Sequence, residues 1–229
     1  MGSLFIPMIL NFRRRCITTN PVKLYRGHIL KPITDLVLAS ANQGKIQELQ
    51  QMLGGLGIKI IPQQTLNIDD VEETGQSFVE NAILKARNAC EASGLPAIAD
   101  DSGLEVDFLK GAPGIYSARF AGPMATDQSN IDKLLEQLQG VPLSDRNARY
   151  QSVIVFMRHA SDPTPLICQG SWEGHIGLEM KGNSGFGYDP IFVVNELGCH
   201  AAELDKTTKN RISHRGKAIT QLLNQLSPS

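Results

Sequence analysis

The chain has few cysteines and no long apolar run, and these two shortages exclude several classes of protein. Four cysteines in 229 residues are too few for a disulfide scaffold in a chain of this length. Their separations also match no common zinc-ligand spacing. We therefore expect a reducing compartment and place the protein in the cytoplasm. No apolar stretch reaches the roughly 18 residues that a membrane-spanning helix needs, so we expect a soluble protein without a membrane partner.

An excess of either charge sign is also missing. The 22 basic and 23 acidic side chains give a formal net charge of -1, whereas proteins that bind nucleic acid usually carry a clear basic excess. We therefore expect no nucleic-acid partner. Any phosphate group would have to be bound by a local cluster of side chains rather than by a general positive field.

Acidic residues are absent before Asp35, and the preceding stretch holds six basic ones. Its apolar segment precedes the arginines, which is the reverse of the order in a secretory signal. We divide the chain into a basic N-terminal leader, 1–34, and one folded domain, 35–229. The leader is interpreted as a disordered tail, an organelle-targeting peptide, or an upstream stretch not present in the working protein.

The domain opens with an α/β pattern. A buried strand is predicted at 36–39, followed by a polar turn at 40–45, a helix that ends at Gly54 and a second strand at 58–61. Further elements are predicted as helices at 74–93, at 126–139 and from Ser213. Strands are predicted at 96–99, 104–108, 149–157 and 166–178; the last two are antiparallel, and 166–178 has a turn inside.

The adjacent aspartates Asp100 and Asp101 are the sharpest sign of chemistry. Successive side chains of a strand point to opposite faces, so two neighbours can act together only where the strand has ended. The following Ser102 and Gly103 predict such an end. Paired carboxylates there would suit a magnesium ion, with Glu72-Glu73 completing the metal shell. The alternatives are an aspartate that caps a turn and glutamates that only complement a helix dipole.

Two lysines stand where an anion could be bound. Lys85 shares the inward face of its helix with Ala82, and a core-facing lysine needs a partner or a cleft, unless its stem snorkels to water. The stretch 40–45 ends a strand and opens a helix, a geometry that binds phosphate. It is not a Walker A loop, because Ala39 and Ile46 replace the required Gly and Ser or Thr.

Aromatic side chains interrupt a glycine-rich turn at 184–190. Phe186 and Tyr188 there could stack on a base or could simply fill the core. Nearer the C-terminus, 213–216 opens a helix with a serine followed by a histidine and an arginine, which could contact a base or a phosphate.

In this order the motifs resemble the inosine/xanthosine triphosphate pyrophosphatase family, the Ham1-like or non-canonical purine NTP pyrophosphatases, and in particular its bacterial branch. The resemblance covers residues 36–227 and rests on motifs at 40–45, 72–85, 99–104, 185–190 and 213–216, with 111–119 also similar. The family's first motif usually begins Thr-Gly-Asn. Here it reads Ser40-Ala41-Asn42, which keeps the hydroxyl group.

The resemblance implies both an architecture and a reaction. The expected fold is α/β, with a long mixed central β-sheet flanked by helices, two lobes, the active-site cleft between them, and a homodimer. The expected reaction is hydrolysis of ITP, dITP and XTP to the monophosphate and pyrophosphate, which cleanses the nucleotide pool. Two alternatives remain: a pyrophosphatase for other modified nucleotides, and a catalytically silent nucleotide-binding regulator.

The resemblance also implies roles for individual residues. The triphosphate would be held by Ser40, Asn42 and Lys45. Mg²⁺ would be held by Glu72 and Asp101, with Glu73 left open as the alternative to Glu72. The catalytic residues would be Asp101, which activates the attacking water, and Lys85, which offsets the developing charge. The nucleotide pocket would be shaped by Ser102, Phe186, Gly187, Tyr188, Asp189, Lys209, His214 and Arg215.

Overall fold

The structure is a computed structural model that describes residues 33–54 and 57–226, so nearly all of the predicted leader lies outside the described residues. The strands are β1 Asp35–Ala39, β2 Lys59–Pro62, β3 Ala97–Val106, β4 Asn147–Met157, β5 Leu166–Ile176, β6 Phe192–Val194 and β7 Cys199–His200. The helices are α1 Gln43–Leu53, α2 Phe78–Ser93, α3 Asp127–Gln137, α4 Lys206–Ile212 and α5 His214–Leu226.

The seven strands described form one mixed sheet in the order β2-β1-β3-β4-β5-β6-β7. β1 runs parallel to both β2 and β3, as a strand–helix–strand opening requires. From β3 onward every neighbour is antiparallel. The predicted α/β class with a mixed central sheet and flanking helices is therefore confirmed.

The sheet is covered on both faces because its central strands are apolar on both sides. Alternate side chains of β1, Leu36 and Leu38, pack with α1 and α5, whereas Val37 and Ala39 pack with α2. A further apolar cluster, formed by β4, β5, β6 and α3, lies around the fully buried Trp172. None of the helices in the described ranges is long and apolar enough to cross a membrane.

The prediction that a strand ends at Asp100 is wrong. β3 continues to Val106, and β4 pairs with it throughout, so the ladder itself keeps the segment extended. Gly103 does not end the strand. It admits a close neighbour, because a Cβ built there would lie 2.3 Å from the carbonyl oxygen of Gly114. Asp100 and Asp101 consequently point to opposite faces of the sheet.

Other boundaries move for local reasons. α2 begins at Phe78 rather than Thr74, because the Ser77 hydroxyl accepts the backbone N–H of Glu80 as an N-cap. β5 runs without the predicted internal turn. At the N-terminal side, Ile33 is buried in the apolar cluster around α1 and α5, so the folded body begins before Asp35.

Candidate active site

Two adjoining cavities lie beside the start of α1. The larger has a volume of about 450 Å³ and a mainly polar and charged lining, whereas the smaller has about 180 Å³ and is lined partly by aromatic rings. Asn42, Lys45 and Ser102 line both cavities. A single ligand with an anionic part and a flat apolar part could therefore occupy the two together.

The turn between β1 and α1 forms one wall of the larger cavity. Asn42 is the N-cap of α1, and its side-chain oxygen accepts the backbone N–H of Lys45 at 3.0 Å. The Ser40 hydroxyl in turn accepts the backbone N–H of Asn42 at 3.2 Å. These bonds fix the turn, and the structure brings Ser40, Asn42 and Lys45 to the same cavity, as the sequence predicts.

Asp100 is buried behind this wall and binds two cations. Its Oδ2 lies 3.0 Å from Lys45 Nζ and 3.1 Å from the Arg215 guanidinium, and its Oδ1 accepts the Ser152 hydroxyl at 2.7 Å. Burial alone would raise the pKa of Asp100, but Arg215 and Lys45 outweigh it and hold the pKa well below its ordinary value. Burial lowers the pKa of Lys45, partly opposed by Asp100.

Asp101 lies on the other face of β3 and pairs with Lys85. The ammonium of Lys85 donates to Asp101 Oδ1 at 2.7 Å, to Glu73 Oε1 at 2.9 Å and to the Asp100 carbonyl oxygen at 3.0 Å. Burial would lower the pKa of Lys85, yet the two carboxylates raise it. Burial raises the pKa of Asp101 despite the nearby lysine. The inward-facing lysine of α2 therefore has both a partner and a cleft, as its position predicts.

The oxygen atoms around Asp101 fit a divalent cation. Asp101 Oδ2 is buried and has no hydrogen-bond partner among the described residues. Glu72 is exposed and lines the same cavity, whereas Glu73 is already bound by Lys85 and by Arg119 at 3.1 Å. The described residues contain no group of three or more His, Cys, Asp or Glu side chains able to hold a metal. Magnesium tolerates such a sparse set, because it commonly binds one or two carboxylates together with substrate phosphates and waters.

Phe186 forms a wall of the smaller cavity and packs against the start of α1. A Cβ built at Gly44 would lie 2.8 Å from the Phe186 ring, so glycine is needed there for the close approach. On the ring, Lys209 Nζ lies 5.0 Å and the Arg215 guanidinium carbon 5.8 Å from the centroid. Two cations thus lie close to the Phe186 ring at one end of the cavity.

The turn that carries Phe186 is held by its neighbours. Asp189 Oδ2 accepts the backbone N–H of Phe186 at 2.9 Å and lies 2.6 Å from Lys209 Nζ. Burial raises the pKa of Asp189, and Lys209 opposes that rise. Tyr188 is buried and donates its hydroxyl to the Ser117 carbonyl oxygen at 2.9 Å. Asp189 and Tyr188 therefore shape the wall of the pocket.

His214 lies in an aromatic stack. Its ring is nearly parallel to that of Tyr150, with centroids 4.7 Å apart and an interplanar angle of 9°, and Trp172 lies beyond at 6.3 Å. Burial holds the pKa of His214 well below its ordinary value. Every residue predicted for the nucleotide pocket lines this smaller cavity.

Sequence reasoning missed several side chains that organise the site. Glu48 accepts hydrogen bonds from Lys209 at 3.1 Å and from Arg215. Its position three residues after Lys45, on the same face of a predicted helix, could have revealed it. Arg119 ends the family-like segment 111–119, but no role was predicted for it. Tyr150 comes from a distant segment with no motif of its own, so only the fold shows that it lines the smaller cavity.

Comparison with known proteins identifies the family. The sequence model of the Ham1 family matches residues 36–225. The chain belongs to the Ham1 family. The resemblance stated from the motifs is thereby confirmed.

Several relatives of this Ham1-family chain have names that describe an activity. The chain is 56% identical over 192 residues to the dITP/XTP pyrophosphatase of Vibrio parahaemolyticus, covering 84% of this chain and 96% of that protein. It is 57% identical over 191 residues to that of Escherichia coli O157:H7, covering 83% and 97%. The solved structure of a HAM1 protein from Coxiella burnetii is 52% identical, covers 85% of this chain and 98% of its own, and superposes with a TM-score of 0.79.

Proposed function

We propose that this chain hydrolyses the non-canonical purine nucleoside triphosphates dITP, ITP and XTP to the monophosphate and pyrophosphate. The observation that carries the proposal is the pair of joined cavities: a charged one that brings lysines and carboxylates together, next to one walled by an aromatic ring. Relatives that are more than half identical over nearly their whole length are named dITP/XTP pyrophosphatases.

The triphosphate occupies the larger cavity. Lys45 and Lys85 neutralise it from two sides, and Ser40 and Asn42 contribute polar groups at the start of α1, where the helix dipole also favours an anion. These interactions position the α-phosphorus near Asp101. Charge neutralisation by fixed cations is the main protein contribution to phosphoryl-group chemistry.

Asp101 activates the attacking water. Its carboxylate, which Lys85 orients through a hydrogen bond to Oδ1, accepts a proton from water as the water oxygen bonds to the α-phosphorus. The bond from the α-phosphorus to the bridging oxygen breaks, and pyrophosphate leaves. A divalent cation held by Asp101 and Glu72, which we propose to be Mg²⁺, would supply charge neutralisation and acidify bound water.

The base occupies the smaller cavity and stacks on Phe186. Lys209 and Arg215 are the polar cations beside that ring, and both are hydrogen-bond donors only. They therefore match the oxo group at position 6 of hypoxanthine and xanthine and do not match the amino group of adenine. Such hydrogen-bond readout can discriminate by orders of magnitude.

A silent nucleotide-binding regulator is the rival proposal. Binding alone does not require the Lys85–Asp101 pair or a buried carboxylate oxygen without a hydrogen-bond partner in the described part of the chain. A pyrophosphatase for other modified nucleotides would share this chemistry and differ only at the base cavity.

A steady-state panel of nucleotides distinguishes these alternatives. We expect kcat/KM for dITP, ITP and XTP to exceed that for ATP by orders of magnitude, with pyrophosphate as the product. Comparable rates on ATP, or release of orthophosphate, would reject the proposal, and binding without turnover would favour the regulator.

The cation and the oligomeric state are tested separately. Activity should disappear with excess chelator and return with Mg²⁺. Glu72→Gln and Glu73→Gln, compared in a Mg²⁺ titration, show which glutamate holds the cation.

We also propose a homodimer, which light scattering of the purified chain would show as twice the mass of 25.0 kDa.

A further inference from the structure

Asp127 makes a contact across the mouth of the base cavity that the proposed reaction does not use. It is the first residue of α3, and its Oδ2 accepts the backbone N–H of Gly187 at 2.7 Å. Both residues line the smaller cavity. The helix start is fixed independently, because Thr126 and Ser129 form a reciprocal capping box. The Asp127 carboxylate is therefore free of a capping role.

Gly187 lies between two anchored residues of the loop 185–189, which we call the pocket loop. Its two neighbours are anchored inside the protein: the Phe186 N–H by Asp189, and the Tyr188 hydroxyl by the Ser117 carbonyl oxygen. Gly187 itself has a φ of 61°, outside any regular element, and its bond to Asp127 is exposed to solvent. An exposed bond can open and close more readily than its buried neighbours.

We propose that Asp127 is a positioning residue that latches the pocket loop 185–189 closed over the purine base. This inference rests on the proposed function of the same cavity. The latch keeps the Phe186 ring beside Lys209 and Arg215, where it stacks on the base. The latch acts on the smaller cavity, proposed for the base, because Asp127 is not among the residues that line the larger cavity, proposed for the triphosphate.

Steady-state kinetics of Asp127→Ala test the latch. We expect KM for dITP to rise roughly tenfold, the scale of a lost charge-assisted hydrogen bond, with kcat within about twofold of wild type. Inhibition by inorganic tripolyphosphate, which fits only the phosphate cavity, should be unchanged. Asp127→Asn keeps an acceptor oxygen in the same place and should recover most of the affinity.

A matched control comes from the same helix. Asp132 is also exposed, and its carboxylate accepts a hydrogen bond from the side chain of Gln128 at 2.7 Å. Asp132→Ala makes the same change of charge on α3 without touching the loop, and its KM for dITP should equal that of wild type.

Hydrogen exchange gives a readout that does not depend on turnover. In the free enzyme, Asp127→Ala should accelerate exchange of the peptide covering 184–190, whereas Asp132→Ala should not. Unchanged exchange and unchanged KM in Asp127→Ala would overturn the latch. Weakened tripolyphosphate inhibition or an equal fall in kcat would also overturn it, because the residue would then act outside the base cavity. Failure of wild type to hydrolyse dITP would instead refute the proposed function, and the exchange result would still decide whether the latch exists.

Discussion

Replacing Asp100 with asparagine should destabilise the protein strongly. The side chain of Asp100 is fully buried and forms ion pairs with Lys45 at 3.0 Å and with Arg215 at 3.1 Å. Asparagine keeps the shape and can still accept the Ser152 hydroxyl, but it removes the negative charge. Two cations, of which Arg215 is only 2% exposed, then lose a shared counter-ion.

The expected loss is about 3 kcal/mol, the low end of the usual cost of removing one partner from a buried ion pair, because Arg215 keeps Glu48 as a second partner. For a chain of this size that corresponds to a fall in melting temperature of roughly 10 °C. The pKa of Asp100 is lower in the folded state than in the unfolded state. Its contribution to the free energy of unfolding is therefore present above the unfolded-state pKa of about 3.9 and is lost as pH falls through the folded-state pKa. The difference between variant and wild type should therefore shrink below roughly pH 4.

Urea unfolding followed by circular dichroism measures this difference. Asp107→Asn is the matched control, because Asp107 pairs with Arg149 at 2.7 Å but is 47% exposed. This substitution should lower the free energy of unfolding by less than about 1 kcal/mol. An Asp100→Asn variant as stable as the control would refute the view that Asp100 is the counter-ion of this buried cluster.

Three further predictions concern catalysis and the domain boundary. Asp101→Asn should fold normally and lose about 10²- to 10⁴-fold in kcat, the scale of a lost general base; near-normal turnover would show that Asp101 is structural. The free-enzyme profile of kcat/KM should rise above neutral pH and then fall at a pH below the ordinary pKa of a lysine. The fall is expected because burial lowers the pKa of Lys45, and neutral Lys45 no longer offsets the charge of the triphosphate. Lys45→Arg should move that fall to higher pH, and an unchanged profile would exclude Lys45 as its cause. Removing residues 1–32 should leave kcat and melting temperature unchanged. Removing the buried Ile33 as well should lower the melting temperature. A clear fall in melting temperature from the shorter deletion would show that part of the leader packs on the folded domain.

The sequence was most informative where a local pattern determines the structure. The strand, turn and helix around Ser40 to Lys45 follow from apolar runs and a cap that are local in sequence. Lys85 could be placed at a cleft because a core-facing lysine needs a partner, and the structure supplies Asp101 and Glu73.

The opposite roles of the two aspartates could not be predicted, because they depend on strand pairing. Ser102 and Gly103 have the composition of a turn, yet the ladder with β4 keeps the segment extended and sends Asp100 and Asp101 to different faces. The partners of Asp100 come from residues 45, 152 and 215. Contacts between such distant segments leave no periodic pattern in the sequence.

Hydrolysis of dITP in ¹⁸O-labelled water tests the central claim most directly. Water that attacks the α-phosphorus leaves its oxygen on the monophosphate, so mass spectrometry should find one ¹⁸O atom in dIMP and none in pyrophosphate. Parallel reactions with dATP should give little product. Label in pyrophosphate or in orthophosphate, or equal turnover of dATP, would contradict the proposed reaction.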